Sequence, residues 1–539
     1  MAEIQSVIPN PFQFVDYYES GLQPITLQEL KLLSLEAAIR LKNDWTTKIF
    51  DESIVAKWKI EYNSQQDETI DDSYFDYAIA ECRYQAESSS GGILMSPVDG
   101  VFQADGIVPQ DVLGDLLESV TALENRPFKD WHPGSNEQVL DLVHPSLYPY
   151  VYGVSRQLPK QANNKKLAWN ELFGRGEIQF FQGDDEQNQS HNESKKFQWL
   201  PSEFVVDSVT GAVHIDSYIN NLHPEEHESL YATLEKIFSK FVPMFEILLT
   251  RLVNPIELRL KLPAYKWYVE SNVDVEEKGN DEDEEDDDEE EEDEEQTRTF
   301  IDLKPGDFQP PNLPENVISL KGKRLQVIVK LANIHLTPEK PSYPGGVWHV
   351  EGMLNERIVA SGIYYYDMEN ITESRLSFRQ AIAEPKYEQD DRRGCEHFYG
   401  LEDESALTQE LGYVCAEPGR LIVFPNVFQH KVEPFELVDK TRPGHRKILV
   451  FFLVDPNISI LSTARVPPQQ NSWLFKEVCK IVPKLAMLPD LAKKRIQEFL
   501  PMTLDEAKNF REELMKERKY YIEDSNNTIF QRPFSLCEH

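Results

Sequence analysis

Cysteine is scarce in this chain: five among 539 residues, at positions 82, 395, 415, 479 and 537, with no CxxC pair. Few, odd in number and far apart, they exclude a disulfide framework and predict a reducing interior, cytoplasmic or nuclear. Long apolar runs are also missing. No stretch reaches the roughly 18 residues of an ordinary membrane span, and the nearest approach, Ile481–Lys494, carries lysines and two prolines. The amino terminus lacks a basic start followed by an apolar stretch, so no signal peptide is expected. Positive charge is in deficit, with a formal net charge of −38. That argues against a nucleic-acid binder, which needs a basic face to displace phosphate counterions, and against docking on an anionic membrane. No glycine-rich phosphate loop, nucleophile elbow or kinase signature occurs.

What is present divides the chain. Fifteen of the negative charges form one run, Asp281–Glu295, leaving −23 elsewhere. Such a run cannot bury apolar surface and repels itself, so a disordered linker or insertion is expected over 271–314. It could recruit a basic protein partner such as a histone or a ribosomal surface; a merely solvated loop is the plainer expectation. Before it, 1–270 reads as a helical and mixed region. Thr26 and Glu29 form a capping box ahead of a leucine-spaced helix, and a second helix is expected around 53–63. A long helix is expected over 224–252, with Pro224 in its first turn and Pro243 kinking or dividing it.

From Lys323 the texture turns to strands rich in Val, Ile, Tyr and Phe, separated by Gly and Pro turns. Strands in succession without intervening helices predict an antiparallel sandwich or jelly roll over 315–470. Three helices should follow in 471–539, the last capped by Thr503 and Glu506. The fold expected is therefore α+β: a double-stranded β-helix core with a helical N-terminal region and C-terminal helices.

The chemistry sits in the strand-rich part. His349 and Glu351 are two apart on an extended segment, so both side chains point to one side and can bind one cation. The turn Tyr343-Pro-Gly-Gly-Val-Trp leads into them. His430, just past the strand 420–425, is the third donor. Two imidazoles and a carboxylate on one face of an ion suit non-haem iron(II), while a zinc hydrolase also uses such a set. Arg446 separates the two. It opens the most apolar strand of the chain, where a charge needs a partner, and a guanidinium holds a carboxylate through paired hydrogen bonds. Zinc hydrolysis has no use for it. Tyr364, Lys330 and Asn333 are further candidates for contacting a dicarboxylate cosubstrate, set against ordinary packing or a satisfied polar group at each.

In that order, His349-x-Glu351, His430 and Arg446 resemble the iron(II)/2-oxoglutarate dioxygenase superfamily, whose commoner motif has Asp in place of Glu351. More closely, the chain is similar to the largely fungal family DUF4246. The matching stretches include Ser217-Tyr-Ile-Asn-Asn-Leu-His-Pro224, Lys330-Leu-Ala-Asn-Ile-His-Leu-Thr337, Trp348-His-Val-Glu-Gly352 and Tyr364-Tyr-Tyr-Asp367. The resemblance implies an oxidoreductase in which oxygen binding and decarboxylation of 2-oxoglutarate to succinate, at iron(II), drive hydroxylation of an unknown substrate. The alternatives are a catalytically silent jelly roll acting as a binding module, and a zinc-dependent hydrolase. Two departures from the pattern stand out: the longer Glu351, and a wide gap before His430 in which Asp390–Leu411 reads as an inserted acidic loop. His223-Pro-Glu-Glu-His227 mimics a zinc-peptidase helix, but Pro224 sets His223 ahead of the first turn, so the two histidines cannot share a helical face.

Overall fold

The structure, a computed structural model, describes residues 8–12, 21–65, 71–160, 167–181, 192–255, 257–269, 298–498 and 500–536. The acidic run 281–295 lies outside them. Its flanks are placed, however: Val269 N–H donates to Thr299 O (2.8 Å) and Ile301 N–H to Trp267 O (3.0 Å). Among the described residues no helix is long and apolar enough to cross a membrane.

The molecule mixes helices with antiparallel sheets. The larger sheet has nine strands: β1 (Ile93–Met95), β2 (Phe102–Asp105), β3 (Val139–Val143), β4 (Ser202–Val206), β5 (Val213–Ile215), β6 (Arg324–Leu336), β7 (Ile358–Glu369), β10 (Arg420–Pro425) and β12 (Gly444–Val454). Their order is β1-β2-β10-β7-β12-β6-β4-β5, with β3 also paired to β6. Strands from both sides of the acidic run thus share one sheet, and the segment 271–314 does not separate it into two. The smaller sheet is β9 (Thr408–Cys415), β8 (Arg375–Ala381) and β11 (Phe428–Val432), in that order.

Both faces of the larger sheet are covered. On one, Leu449, Phe451 and Leu453 of β12 pack against helices α1 (Gln110–Glu124) and α2 (Glu228–Val253). On the other, Val450 and Phe452 of β12, Ile363 of β7 and Phe424 of β10 meet Leu376 and Phe378 of β8, with Leu514 of α3 (Leu504–Ser525) alongside. This is why 448–454 is continuously apolar: period-two alternation still sorts the side chains, but both sorts are buried. Gly362 lets α2 lie close, since a Cβ there would stand 2.8 Å from the Phe241 ring.

Several expectations need correction. The long helix begins at Glu228 rather than Pro224; residues 223–227 close one separate turn through His227 N–H to His223 O (3.1 Å), and His227, at φ −126°, leaves helical geometry. Pro243 does not divide it. Thr26 caps its helix by accepting from Glu29 N–H, but Glu29 turns its carboxylate to the amides of Arg259 and Leu260 instead of completing the box. Asp390–Leu411 is no loop: it holds the helix Arg392–Tyr399, whose Cys395 and Phe398 are buried, and the start of β9. The Thr503–Glu506 capping box forms.

Candidate metal centre

The turn 343–348 brings the chain down onto β11. Gly345, at φ +89°, passes so close to Val432 that a Cβ would lie 2.7 Å from its carbonyl oxygen, and Gly346 N–H donates to that oxygen (2.9 Å). His349 and His430 then exchange backbone hydrogen bonds, 3.3 Å and 3.0 Å, as an isolated antiparallel bridge. Opposed residues of such a bridge carry neighbouring side chains, and the two imidazole rings are 4.3 Å apart. Glu351, two residues on, comes to the same side. Its Oε1 is 3.7 Å from His349 Nε2 and 3.4 Å from His430 Nε2. The backbone of Glu351 is clamped by fully buried Asn426, which accepts from its N–H (2.8 Å) and donates to its carbonyl (2.9 Å).

This donor set fits a divalent cation. Ligands at about 2.1 Å from one ion and at right angles are about 3 Å apart, so Glu351 Oε1 needs to close by less than about 1 Å on either imidazole. The tautomer of His349 is right, because Nδ1 faces the carbonyl of Val347 (2.8 Å) and must carry the proton, leaving the Nε2 lone pair free. Burial alone would push the Glu351 carboxyl up, but the close approach of the His349 and His430 rings holds it well below the usual range. Burial and the neighbouring His349 push His430 down to about 4, so its ring is neutral near pH 7. For His349, burial lowers the pKa, yet the bond to Glu351 and its charge outweigh this and raise it.

The other candidates divide between the two faces of the sheet. Arg446 is 2% exposed and on the inner face of β12, with Val450 and Phe452. Its Nη1 donates to Ser374 Oγ (2.7 Å), its guanidinium lies 5.3 Å from the Tyr365 ring and 5.7 Å from that of Phe435, and its Nε is buried without a hydrogen-bond partner. Among the described residues no carboxylate lies within ion-pairing distance of it. Lys330, half-buried on the inner face of β6, is near enough for its charge to depress His349 and His430.

Tyr364 and Asn333 do not belong to this space. Tyr364 packs with Leu421 and Leu449 in the core beneath α1 and α2. Asn333 is on the same helix-covered side, donating to Glu124 of α1 (2.6 Å) and accepting from Tyr366 (3.1 Å). The tyrosine on the inner face is Tyr365, fully buried, its hydroxyl without a hydrogen-bond partner among the described residues. Sequence reasoning set Tyr365 on the face opposite Tyr364 without choosing it, and passed over Ser374 and Asn426.

Fold and site together define an α+β protein of antiparallel sheets with a two-histidine, one-glutamate candidate metal site. The chain belongs to the family described as "Protein of unknown function (DUF4246)", whose model matches residues 72–477; the companion N-terminal domain of unknown function matches residues 2–61. None of the functionally curated proteins matches. Solved structures with some likeness include the Fe(II)/(alpha)ketoglutarate-dependent dioxygenase TqaL (14% identity, 29% of this chain and 51% of that one, TM-score 0.17). Others are EvdO2 from Micromonospora carbonacea, complexed with 2-oxoglutarate (12%, 24% and 52%, 0.14), and an oxalate decarboxylase from B. subtilis (15%, 37% and 40%, 0.12). The match spans about half or less of each, and at these scores it carries no argument.

Proposed function

We propose that this protein is a non-haem iron(II)- and 2-oxoglutarate-dependent oxygenase, with the two facing sheets as a jelly roll and a hydroxylated substrate yet to be identified. His349 Nε2, Glu351 Oε1 and His430 Nε2 would hold the iron. The observation that carries the reading is Arg446: a buried guanidinium with no acidic partner among the described residues, on the sheet face that also carries Lys330, whose charge reaches His349 and His430. An uncompensated buried charge costs several kcal/mol, and the distal carboxylate of a dicarboxylic cosubstrate would compensate it in a forked contact. Ser374 Oγ and the Tyr365 hydroxyl stand beside it to share that carboxylate. Bound iron(II), with 2-oxoglutarate and dioxygen, would supply the oxidant for a C–H bond, one oxygen atom going to the substrate and the other to succinate, with carbon dioxide released. The chain's own part is to hold three donors on one side, orient the cosubstrate through Arg446 and keep water from the apolar surroundings. Zinc hydrolysis leaves Arg446 without a task.

The test is anaerobic addition of iron(II) and 2-oxoglutarate to purified protein, followed in visible light. A metal-to-ligand charge-transfer band is expected, and Arg446→Ala should lose it at modest cosubstrate and regain it in excess. Folded, iron-loaded protein without the band overturns the reading, leaving a silent binding module. Slow succinate production without added substrate would mark turnover.

A further inference from the structure

A second set of ligand-type side chains converges at β3. Residues 130–132 fold back along β3: Trp131 bridges Leu140, His132 N–H donates to Val139 O (2.8 Å) and Asp141 N–H to Asp130 O (2.9 Å). That pairing makes His132 and Asp141 diagonal neighbours on one face, with His132 Nδ1 2.8 Å from Asp141 Oδ2. His144 follows the end of β3, and its ring is 5.1 Å from that of His132. One donor atom from each of the three lies within 4.8 Å of the others.

The cluster is built rather than incidental. Asp141 and His144 are 5% and 6% exposed, and Asp141 Oδ1 is buried without a hydrogen-bond partner among the described residues. Asp141 pairs with Ala332 of β6, so it shares the inner face with Lys330, whose charge acts on Asp141 and His144 as well as on His349 and His430. A buried carboxylate with an idle oxygen, flanked by two imidazoles, is a donor set for a borderline divalent ion.

We propose that His132, Asp141 and His144 form a second divalent-cation site, of the zinc type, distinct from the His349–Glu351–His430 triad. Three protein donors leave a fourth position open, and His132, its side chain 27% exposed, is the member nearest solvent. Ligation has one local cost. His144 Nδ1 accepts from Ser146 N–H at 3.2 Å, so the free neutral ring carries its proton on Nε2; binding through Nε2 moves the proton to Nδ1 and gives up that one long hydrogen bond. In return Asp141 Oδ1 gains a partner, and the ion ties the 130–141 hairpin to the end of β3.

The experiment is titration of untagged, chelator-treated full-length protein with cobalt(II) under argon, reading visible absorption and bound metal per chain. The wild type should bind two cobalt ions. Asp141→Asn, which can still accept from His132, should bind one, and Glu351→Gln should retain the other. One cobalt per wild-type chain, lost in Glu351→Gln and kept in Asp141→Asn, overturns this site and leaves the triad standing. One cobalt lost in Asp141→Asn and kept in Glu351→Gln supports this site and overturns the triad as a metal centre. Two ions that both survive Asp141→Asn and His144→Gln also overturn it. Should Asp141→Asn fail to fold, as judged by its urea midpoint, His144→Gln gives the same reading, and wild-type stoichiometry of one with the triad intact decides against the site.

Discussion

Two clusters of buried charge in this molecule are built on opposite terms. Near the N-terminal helices, the guanidiniums of Arg40, Arg251 and Arg259 meet the carboxylates of Glu29, Glu36, Glu81 and Asp99. Arg259 alone is 2.6 Å from Glu81, 3.3 Å from Asp99 and 3.6 Å from both Glu29 and Glu36. Arg251 lies 2.8 Å from Asp99, and Arg40 pairs with Glu36. Every charge there has an opposite neighbour. Between the sheets, Arg446 has a hydroxyl and two aromatic rings for company, and its Nε, the Tyr365 hydroxyl and His430 Nδ1 have no hydrogen-bond partner among the described residues. Charge buried to hold the chain together is neutralised by the chain; charge left idle in a protein interior points to something that arrives from outside.

The comparison breaks most visibly at the two arginines. Arg259→Met strands up to four acidic groups, and a loss of about 3–5 kcal/mol in urea unfolding is expected, the usual result of removing one partner from a buried network. Arg446→Met should do the reverse to the free protein: its urea midpoint stays within about 1 kcal/mol of wild type or rises, since an uncompensated charge has gone. The same change should weaken 2-oxoglutarate binding by on the order of 100-fold, measured by calorimetry of the iron-loaded, anaerobic protein. If both arginines cost equal stability, the distinction between closed and open clusters fails.

Acid sharpens it further. Burial pushes the Asp99 carboxyl up, but the charges of Arg251, Arg259 and Arg40 outweigh that and hold it well below the ordinary range. A carboxylate depressed in the folded state lends stability above its unfolded pKa and loses it as pH falls. The gap in urea midpoint between wild type and Asp99→Asn should thus be full at pH 7 and shrink below about pH 4. The smallest effect is expected at Tyr365→Phe, less than about tenfold in cosubstrate affinity, as befits one hydrogen bond.

Which parts of the site could be read beforehand follows from which faces are distinguishable. His349 and Glu351 could be paired beforehand because two residues on an extended segment share a side, and Arg446 drew notice as a lone charge in an apolar strand. Tyr364 and Asn333 misled for a single reason. Strands β6 and β7 are covered on both faces, so no polar alternation marks which side of the sheet is inner, and the phase of three consecutive tyrosines cannot be set from their order. Asn426 was invisible because its task is to hold the backbone of a residue 75 positions away. The helix in 392–399 was missed since its buried contacts, Cys395 and Phe398, are too few to outweigh an acidic, charged setting. The strand composition and the C-terminal helices, by contrast, were readable from propensity and capping alone.

The crossing of the chain near residues 269 and 299 has a practical meaning for proteolysis. The acidic segment leaves and returns between residues already joined by backbone hydrogen bonds, while strands on either side of it are interleaved in one nine-stranded sheet. A protease that cuts within 270–297 would sever the polypeptide without dividing the particle. Two fragments would appear on a denaturing gel and one species in a sizing column, held together by β6 lying between β4 and β12.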